Sequence, residues 1–144
     1  MKLRIITPER SVFEEEIEQI TLPTQAGEIT VLPHHVPLVS ILRPGEILVK
    51  QNGAEIPLAV SGGMLQVRPD EIIILADSAE RVEEIIEQRA EDARVRALAM
   101  LEEKRHDITE YARLAAKIEK ETARIKVARK HRKQRIPMPG REEV

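Results

Sequence analysis

From Ser78 to Ile136 the chain contains neither glycine nor proline, whereas the residues before it are broken by Pro44-Gly45, Asn52-Gly53 and Ser61-Gly62-Gly63. Glycine and proline are the strongest punctuators of local structure, so their long absence predicts uninterrupted helix. The change of character falls near Asp77. It predicts an α+β fold: an N-terminal β-sandwich (a flattened barrel) over residues 1–77, then a C-terminal antiparallel two-helix hairpin over 78–131. Residues 132–144, which include Pro137, Pro139 and Gly140, read as a disordered tail. A helical arm on a small β-module suits gripping and reaching more than chemistry.

The strands announce themselves by alternation. Glu28-Ile29-Thr30-Val31 sends apolar and polar side chains to opposite sides, Ile56, Leu58 and Val60 share a face, and so do Leu65 and Val67. Ile72-Ile73-Ile74-Leu75 is a continuous apolar run, either covered on both faces or closing the sheet. Asn52-Gly53 predicts a hairpin, because a type I′ turn needs positive φ at both central residues. Arg68-Pro69-Asp70 marks another tight connection. Short strands at this spacing, separated by turns, point to a sandwich or barrel.

The helical part carries its own boundary signals. Asp77-Ser78-Ala79-Glu80 offers a start, with an acid to accept from an exposed N–H and a glutamate three residues on. Val82, Ile86, Ala90, Ala93, Ala97 and Leu101 form one stripe at helical spacing. Asp107-Ile108-Thr109-Glu110 repeats the cap, so Lys104–His106 reads as the turn. The second stripe is Tyr111, Leu114, Ala115, Ile118, Ile125 and Ala128. Two capped helices with a short link make an antiparallel hairpin. Its seams are rich in alanine and bury little area, so at about 25 cal/mol per Å² they hold weakly. The hairpin is expected to be a unit of low stability that can leave the sandwich.

With 144 residues and no cysteine, the chain has no disulfide, thiolate zinc site or cysteine nucleophile. No apolar run approaches the roughly 20 residues that cross a bilayer, and Met1-Lys2-Leu3-Arg4 opens a strand pattern rather than a signal peptide. Charge is unevenly spread. Residues 1–77 hold 6 Lys/Arg against 11 Asp/Glu, and residues 78–144 hold 17 against 14. The basic excess gathers at Arg124, Lys126, Arg129, Lys130, Arg132, Lys133 and Arg135. Such a run suits nucleic acid, an anionic membrane or an acidic protein surface, and equally a solvated helix end where cations complement the dipole.

A search for catalysis comes up empty. There is no G-x-x-x-x-G-K-[ST] and no G-x-G-x-x-G, so Gly62-Gly63 reads as a turn. His34-His35 points to two sides of an extended chain and has no third ligand nearby, so no metal site is expected. Glu14-Glu15-Glu16 lacks a base or nucleophile and reads as a solvated strand edge. Ser61 shows no His–Asp partnership in sequence. What remains is the stretch from Leu22 to Val39, where Pro23, Gly27, Pro33 and Pro37 fix the backbone path. It is either a shaped contact surface or a corner that joins two sheets.

That stretch, followed by Leu42-Arg43-Pro44-Gly45-Glu46-Ile47, Ser61-Gly62-Gly63 and Leu75-Ala76-Asp77, resembles the epsilon subunit of F-type ATP synthases from about Met1 to His131. The resemblance implies a non-catalytic rotor (central-stalk) subunit whose sandwich binds the gamma subunit and sits on the ring of c subunits, coupling ion flow to ATP synthesis. It implies a hairpin that lies on the sandwich or extends toward the beta and alpha subunits to restrain ATP hydrolysis, there offering its basic end to an acidic surface. Glu28 corresponds to the family's acidic position facing the c ring. His35 and Pro37 match its G-H-x-P-L motif, here His34-His35-Val36-Pro37-Leu38. His34 and Thr30 stand where the family commonly has glycine. Some members bind ATP through I/L-D-x-x-R-A. The corresponding Ile85-Ile86-Glu87-Gln88-Arg89-Ala90 keeps Arg89 and Ala90 but places Ile86 at the acidic position, where no carboxylate can accept hydrogen bonds. Weak or absent nucleotide binding is expected, with no other cofactor. The expected location is the cytoplasmic face of the plasma membrane, as a peripheral subunit held there through its complex; a thylakoid or other energy-transducing membrane is the alternative. The rival readings are a protein-interaction adaptor and a nucleic-acid module with a basic helical arm. The first would want Leu- or Met-rich exposed faces and the second aromatic platforms, and an enzyme is weaker than either.

Overall fold

The structure is a computed structural model that describes residues 1–135. Among the described residues ten strands lead into two helices. The strands are β1 (Lys2–Ile6), β2 (Ser11–Glu16), β3 (Gln19–Thr24), β4 (Gly27–Val31), β5 (Leu38–Leu42), β6 (Gly45–Gln51), β7 (Ala54–Val60), β8 (Gly63–Val67), β9 (Glu71–Ala76) and β10 (Ala79–Arg81). The helices are α1 (Glu87–Glu103) and α2 (Ile108–Arg135), and a short 3-10 turn at Val82–Glu84 precedes them.

The strands run in the order β10-β7-β6-β3-β5-β8-β9-β1-β2, with β4 paired to β3. Only Thr24–Leu42 joins β3 to β5, so the sheet folds there into two layers. The layers are β10-β7-β6-β3-β4 and β5-β8-β9-β1-β2. All pairings are antiparallel except β1 with β9. The expected sandwich is therefore present.

Alternation decides which side chains fill it. Leu3, Ile5, Ile20, Leu22, Ile47, Val49, Leu58, Leu65, Ile72 and Ile74 are buried from both layers into one aliphatic core, with Phe13 as its aromatic member. Asn52 and Gly53 hold φ of 52° and 76°, which closes the β6–β7 hairpin as the sequence predicts. Arg68 N–H donates to the Glu71 carbonyl across the β8–β9 turn. Gly63 has no room for a side chain, because a methyl there would overlap the Leu75 carbonyl on the neighbouring strand. The run Ile72–Leu75 is not covered on both faces. Ile72 and Ile74 point inward, while Leu75 is exposed.

The boundary near Asp77 moves. Ala79–Arg81 is not the first helical turn but a strand on the open edge of β7, with Ala79 opposite Val60 and Arg81 opposite Leu58. Ser78 Oγ donates to Ser61 Oγ at 2.8 Å and the Asp77 N–H donates to the Gly62 carbonyl. The segment that read as a helix start is thus taken up by the sandwich. An edge strand with unpaired N–H and C=O groups is a stronger demand than a local cap signal. Helix α1 starts at Glu87, after an Ile86 cap that makes no side-chain bond. At its other end the prediction holds: Lys104–His106 is the turn, and the Glu110 N–H donates to Asp107 Oδ1 at 3.1 Å. Residues 132–135 continue α2 rather than opening a tail, and residues 136–144 of the expected tail lie outside the described residues.

The two helices meet along small residues, with Ala90 and Ala97 of α1 and Leu114 and Ile125 of α2 buried. Helix α2 lies on the outer face of β6 and β7. There a second, smaller apolar cluster forms from Ala59, Val82, Ile85, Val127 and Ala128.

Two neighbours on β9 test the layer assignment. Ile74 is fully buried and Leu75 is 54% exposed. Ile74→Ala should destabilise by about 2–5 kcal/mol in denaturant unfolding, whereas Leu75→Ala should shift stability by no more than about 0.5 kcal/mol.

Candidate functional site

The outer faces of the two layers differ in kind. On the β5-β8-β9-β1 layer, Ile41 pairs with Met64, Met64 with Leu75 and Leu75 with Ile6, so four apolar side chains form one row across four strands. Val39 lies two residues from Ile41 on the same face. Val39, Ile41, Met64 and Leu75 are all exposed. A contiguous apolar patch on a sheet that already has a complete core on its other side is the signature of a docking surface. Sequence reasoning did not single these residues out. Their signal was present, since both Leu38–Leu42 and Ile72–Leu75 carry apolar residues on two faces instead of one.

The residues singled out in sequence fall on separate parts of the sandwich. Glu28 is exposed on β4 opposite Pro23, in a strand rather than in a turn. It lines a cleft of about 650 Å³ that Pro23, Arg43 and Pro44 share with Ile118, Thr122 and Lys126 of α2. His35 is half-buried, with Nδ1 2.8 Å from the Val36 carbonyl, and Val36 and Pro37 are exposed beside it. His34 holds φ of 64°, the left-handed conformation that glycine takes most easily, and its N–H donates to the Pro69 carbonyl. The backbone path therefore tolerates histidine there. Thr30 stays in strand register, with its hydroxyl 3.0 Å from that of Thr21. Glu28 and His34 line different clefts and do not form one site.

The basic cluster is not a single free-standing patch. Arg124 is mostly buried: its Nε donates to Glu80 Oε2 at 2.9 Å, and its Nη1 donates to Glu121 Oε2 at 2.7 Å. Burial works against its charge, yet the Glu121 hydrogen bond and the Glu80 and Glu121 charges outweigh it and raise the guanidinium above its ordinary pKa. Lys130 Nζ is 3.1 Å and His131 Nε2 3.3 Å from Glu46 Oε2 on β6. Arg129 instead ties α2 to α1, with Nε 2.7 Å from Glu87 Oε1. Lys126 is exposed and makes no ion pair among the described residues. The side chains of Arg132, Lys133 and Arg135 lie outside the described residues. Glu46, Glu80, Glu87 and Glu121 were not foreseen as partners, because no sequence spacing links them to α2 except that of Glu121.

Ile86 and Arg89 are both exposed at the start of α1. The cleft between the helices, about 370 Å³, is lined by Glu91, Arg94, Thr122, Ile125, Lys126 and Arg129, and neither Ile86 nor Arg89 borders it. Within it the Arg94 hydrogen bond holds the Glu91 carboxyl below the usual carboxylate range, against a smaller effect of burial. Glu91 is paired there with Arg94 and more distantly with Arg129, while Lys126 is exposed. Among the described residues no three His, Asp or Glu side chains gather as a metal site would require.

Comparison with known proteins agrees with this architecture. Residues 1–82 match the beta-sandwich domain of the ATP synthase delta/epsilon chain, which ends after β10 and not at Asp77. The chain is 46% identical over 133 residues to the ATP synthase epsilon chain of Dehalococcoides mccartyi, covering 92% of this chain and 95% of that one. It is 43% identical over 132 residues to that of Chloroflexus aggregans (90% and 93%) and 39% identical over 132 residues to that of Herpetosiphon aurantiacus (92% and 96%). A chain of the solved Euglena gracilis mitochondrial ATP synthase has the same fold, with a TM-score of 0.70 at 24% identity, covering 84% of this chain and 76% of that chain. These relatives align along nearly the whole chain, sandwich and hairpin together, and the chain belongs to the epsilon chains of ATP synthase.

Proposed function

We propose that this chain is the non-catalytic central-stalk subunit of a rotary ATP synthase, coupling ion flow to ATP synthesis through its sandwich and restraining ATP hydrolysis through its hairpin. Family membership gives the subunit its place, and the exposed Ile41–Met64–Leu75 row carries the reading. A rotor subunit must be gripped firmly enough to turn with its shaft, and that row is a contiguous apolar surface left open on the sandwich. It serves as the seat for the gamma subunit. Glu28, exposed and without an ion pair among the described residues, faces the c ring. His35 and Pro37 shape the neighbouring loop.

The hairpin is the regulatory arm. Its apolar contact with the sandwich is far smaller than the core beneath it, which suits an element with two positions. Lys126 and the end of α2 meet the beta and alpha subunits when the arm extends. The adaptor and nucleic-acid readings are not favoured: the chain is an epsilon chain by family, and Arg124, Arg129 and Lys130 of the basic cluster are paired with internal acids. No described helix is long and apolar enough to cross a membrane, so the chain reaches the membrane through its complex, at the cytoplasmic face of a plasma membrane or the equivalent face of another energy-transducing membrane. Nucleotide binding is weak or absent, since Ile86 offers no acceptor and Arg89 does not line the interhelical cleft.

Four measurements test this. Met64→Glu with Leu75→Glu should weaken binding of the full chain to its gamma subunit by about 30-fold or more, as for loss of an interface hot spot; unchanged affinity would move the seat elsewhere. Removing residues 86–144 should leave the sandwich folded and raise ATP hydrolysis by the assembled complex, and an unchanged rate would remove the regulatory role. Removing 78–144 should in addition unfold or aggregate the sandwich, because it strips β10 from the β7 edge. Calorimetric titration with ATP should show no micromolar binding.

A further inference from the structure

The outer face of the β10-β7-β6 layer carries one cross-strand row in which Glu80 pairs with Ala59 and Ala59 with Glu46. The row therefore reads acid, methyl, acid. Its two glutamates stand two strands apart, roughly 9.6 Å at the spacing of a sheet. Helix α2 crosses this row with Arg124 on Glu80 and Lys130 on Glu46. Six residues of helix rise about 9 Å, so the two cations match the two acids in spacing. Between them, Val127 is buried in the same small cluster as Ala59.

We propose that Glu80–Ala59–Glu46 is a register-reading seat for α2: two ion pairs clasp the helix on either side of a notch made by a single alanine, and this seat sets the folded position of the arm. The inference rests on the regulatory-arm reading above and adds the contact that holds the arm down. The apolar part of the contact is too small to choose one position by itself. From the sheet it has Ala59; Val82 and Ile85 come from the linker, and Val127 and Ala128 from α2. The ion pairs supply the choice. They are unequal. Arg124 has 19% of its side chain exposed and Glu80 23%, whereas Lys130 has 62% exposed. The Glu80 pair is therefore the stronger clasp, since screening by solvent takes most from exposed pairs. Glu121 keeps Arg124 neutralised when the helix lifts away, which lowers the barrier to release. Arg129, bound to Glu87 on α1, travels with the hairpin and keeps its two helices together.

The test places a dye pair on cysteines introduced at exposed Glu55 of β7 and exposed Lys117 of α2 in the full chain, which has no other cysteine. In low salt the chain should show one short distance. Glu80→Gln should lower the ratio of folded to extended arm about tenfold, in keeping with a partly buried pair, and Glu46→Gln about two- to threefold. Glu80→Gln with Arg124→Gln should be no worse than Glu80→Gln alone, as coupled partners require. Ala59→Leu should open the arm by filling the notch, with the circular dichroism of the sheet unchanged. Raising salt should open the wild type and leave the Glu80→Gln, Glu46→Gln double variant indifferent. If Ala59→Leu opens the arm while the glutamine variants and salt do not, the clasp is wrong and the mobile arm stands. If no variant changes the distance, both the clasp and the mobile arm are overturned.

Discussion

A core without aromatic bulk must be filled by many branched aliphatic side chains that interlock, and that constraint shapes everything else in this chain. With Phe13 and Tyr111 as its aromatic residues, the sandwich relies on Leu, Ile and Val from both layers meeting at native density. At that density each methylene counts, and the two layers cannot slide or separate without opening voids. The layers are covalently continuous but share one register pair between β3 and β5, so it is side-chain packing that holds them face to face. The block that results is rigid enough to offer one outer face as a seat for a partner and the other as a seat for its own helices.

The helical hairpin obeys a different balance. Alanine seams let α1 and α2 approach closely but bury little, and the contact with the sandwich is centred on one alanine of β7. Where apolar area is scarce, position is decided by charge geometry. Ion pairs of this kind are weak by themselves and sensitive to salt and competitors. That combination suits the arm proposed above, well placed when folded and easily released, whereas a leucine-rich seam would lock it. Inside the chain, Arg124 and Lys130 near the basic end of α2 already have acidic partners in Glu80 and Glu46.

Much of the fold was legible in sequence because its signals are local. Asn52-Gly53 demands positive φ at two residues, Arg68-Pro69-Asp70 demands a tight connection, and period-two alternation selects the inward residues of β4, β7 and β8. The hairpin turn at Lys104–His106 followed from the Asp107 cap, whose side chain accepts the Glu110 N–H. Where local and distant demands conflict, the local reading failed. Asp77-Ser78-Ala79-Glu80 has the letters of a helix start, yet the exposed edge of β7 claims those residues as strand. The candidate site was less legible still. The row sets Ile41 of β5 beside Met64 of β8, strands far apart in the chain, and no window of sequence shows that Ile41, Met64 and Leu75 line up.

The sequence by itself determined the class of the molecule: glycine and proline placement separates sheet from helix, and alternation assigns the core, because both act within a few residues. Only the tertiary structure decided where the arm begins, which face stays bare and what the basic residues bind. Those depend on strand order and on the register of one helix across three strands. Arg124 finds Glu80 and Lys130 finds Glu46 because folding sets a 9 Å helical repeat against two sheet spacings. Nothing in the linear spacing of those four residues records that match.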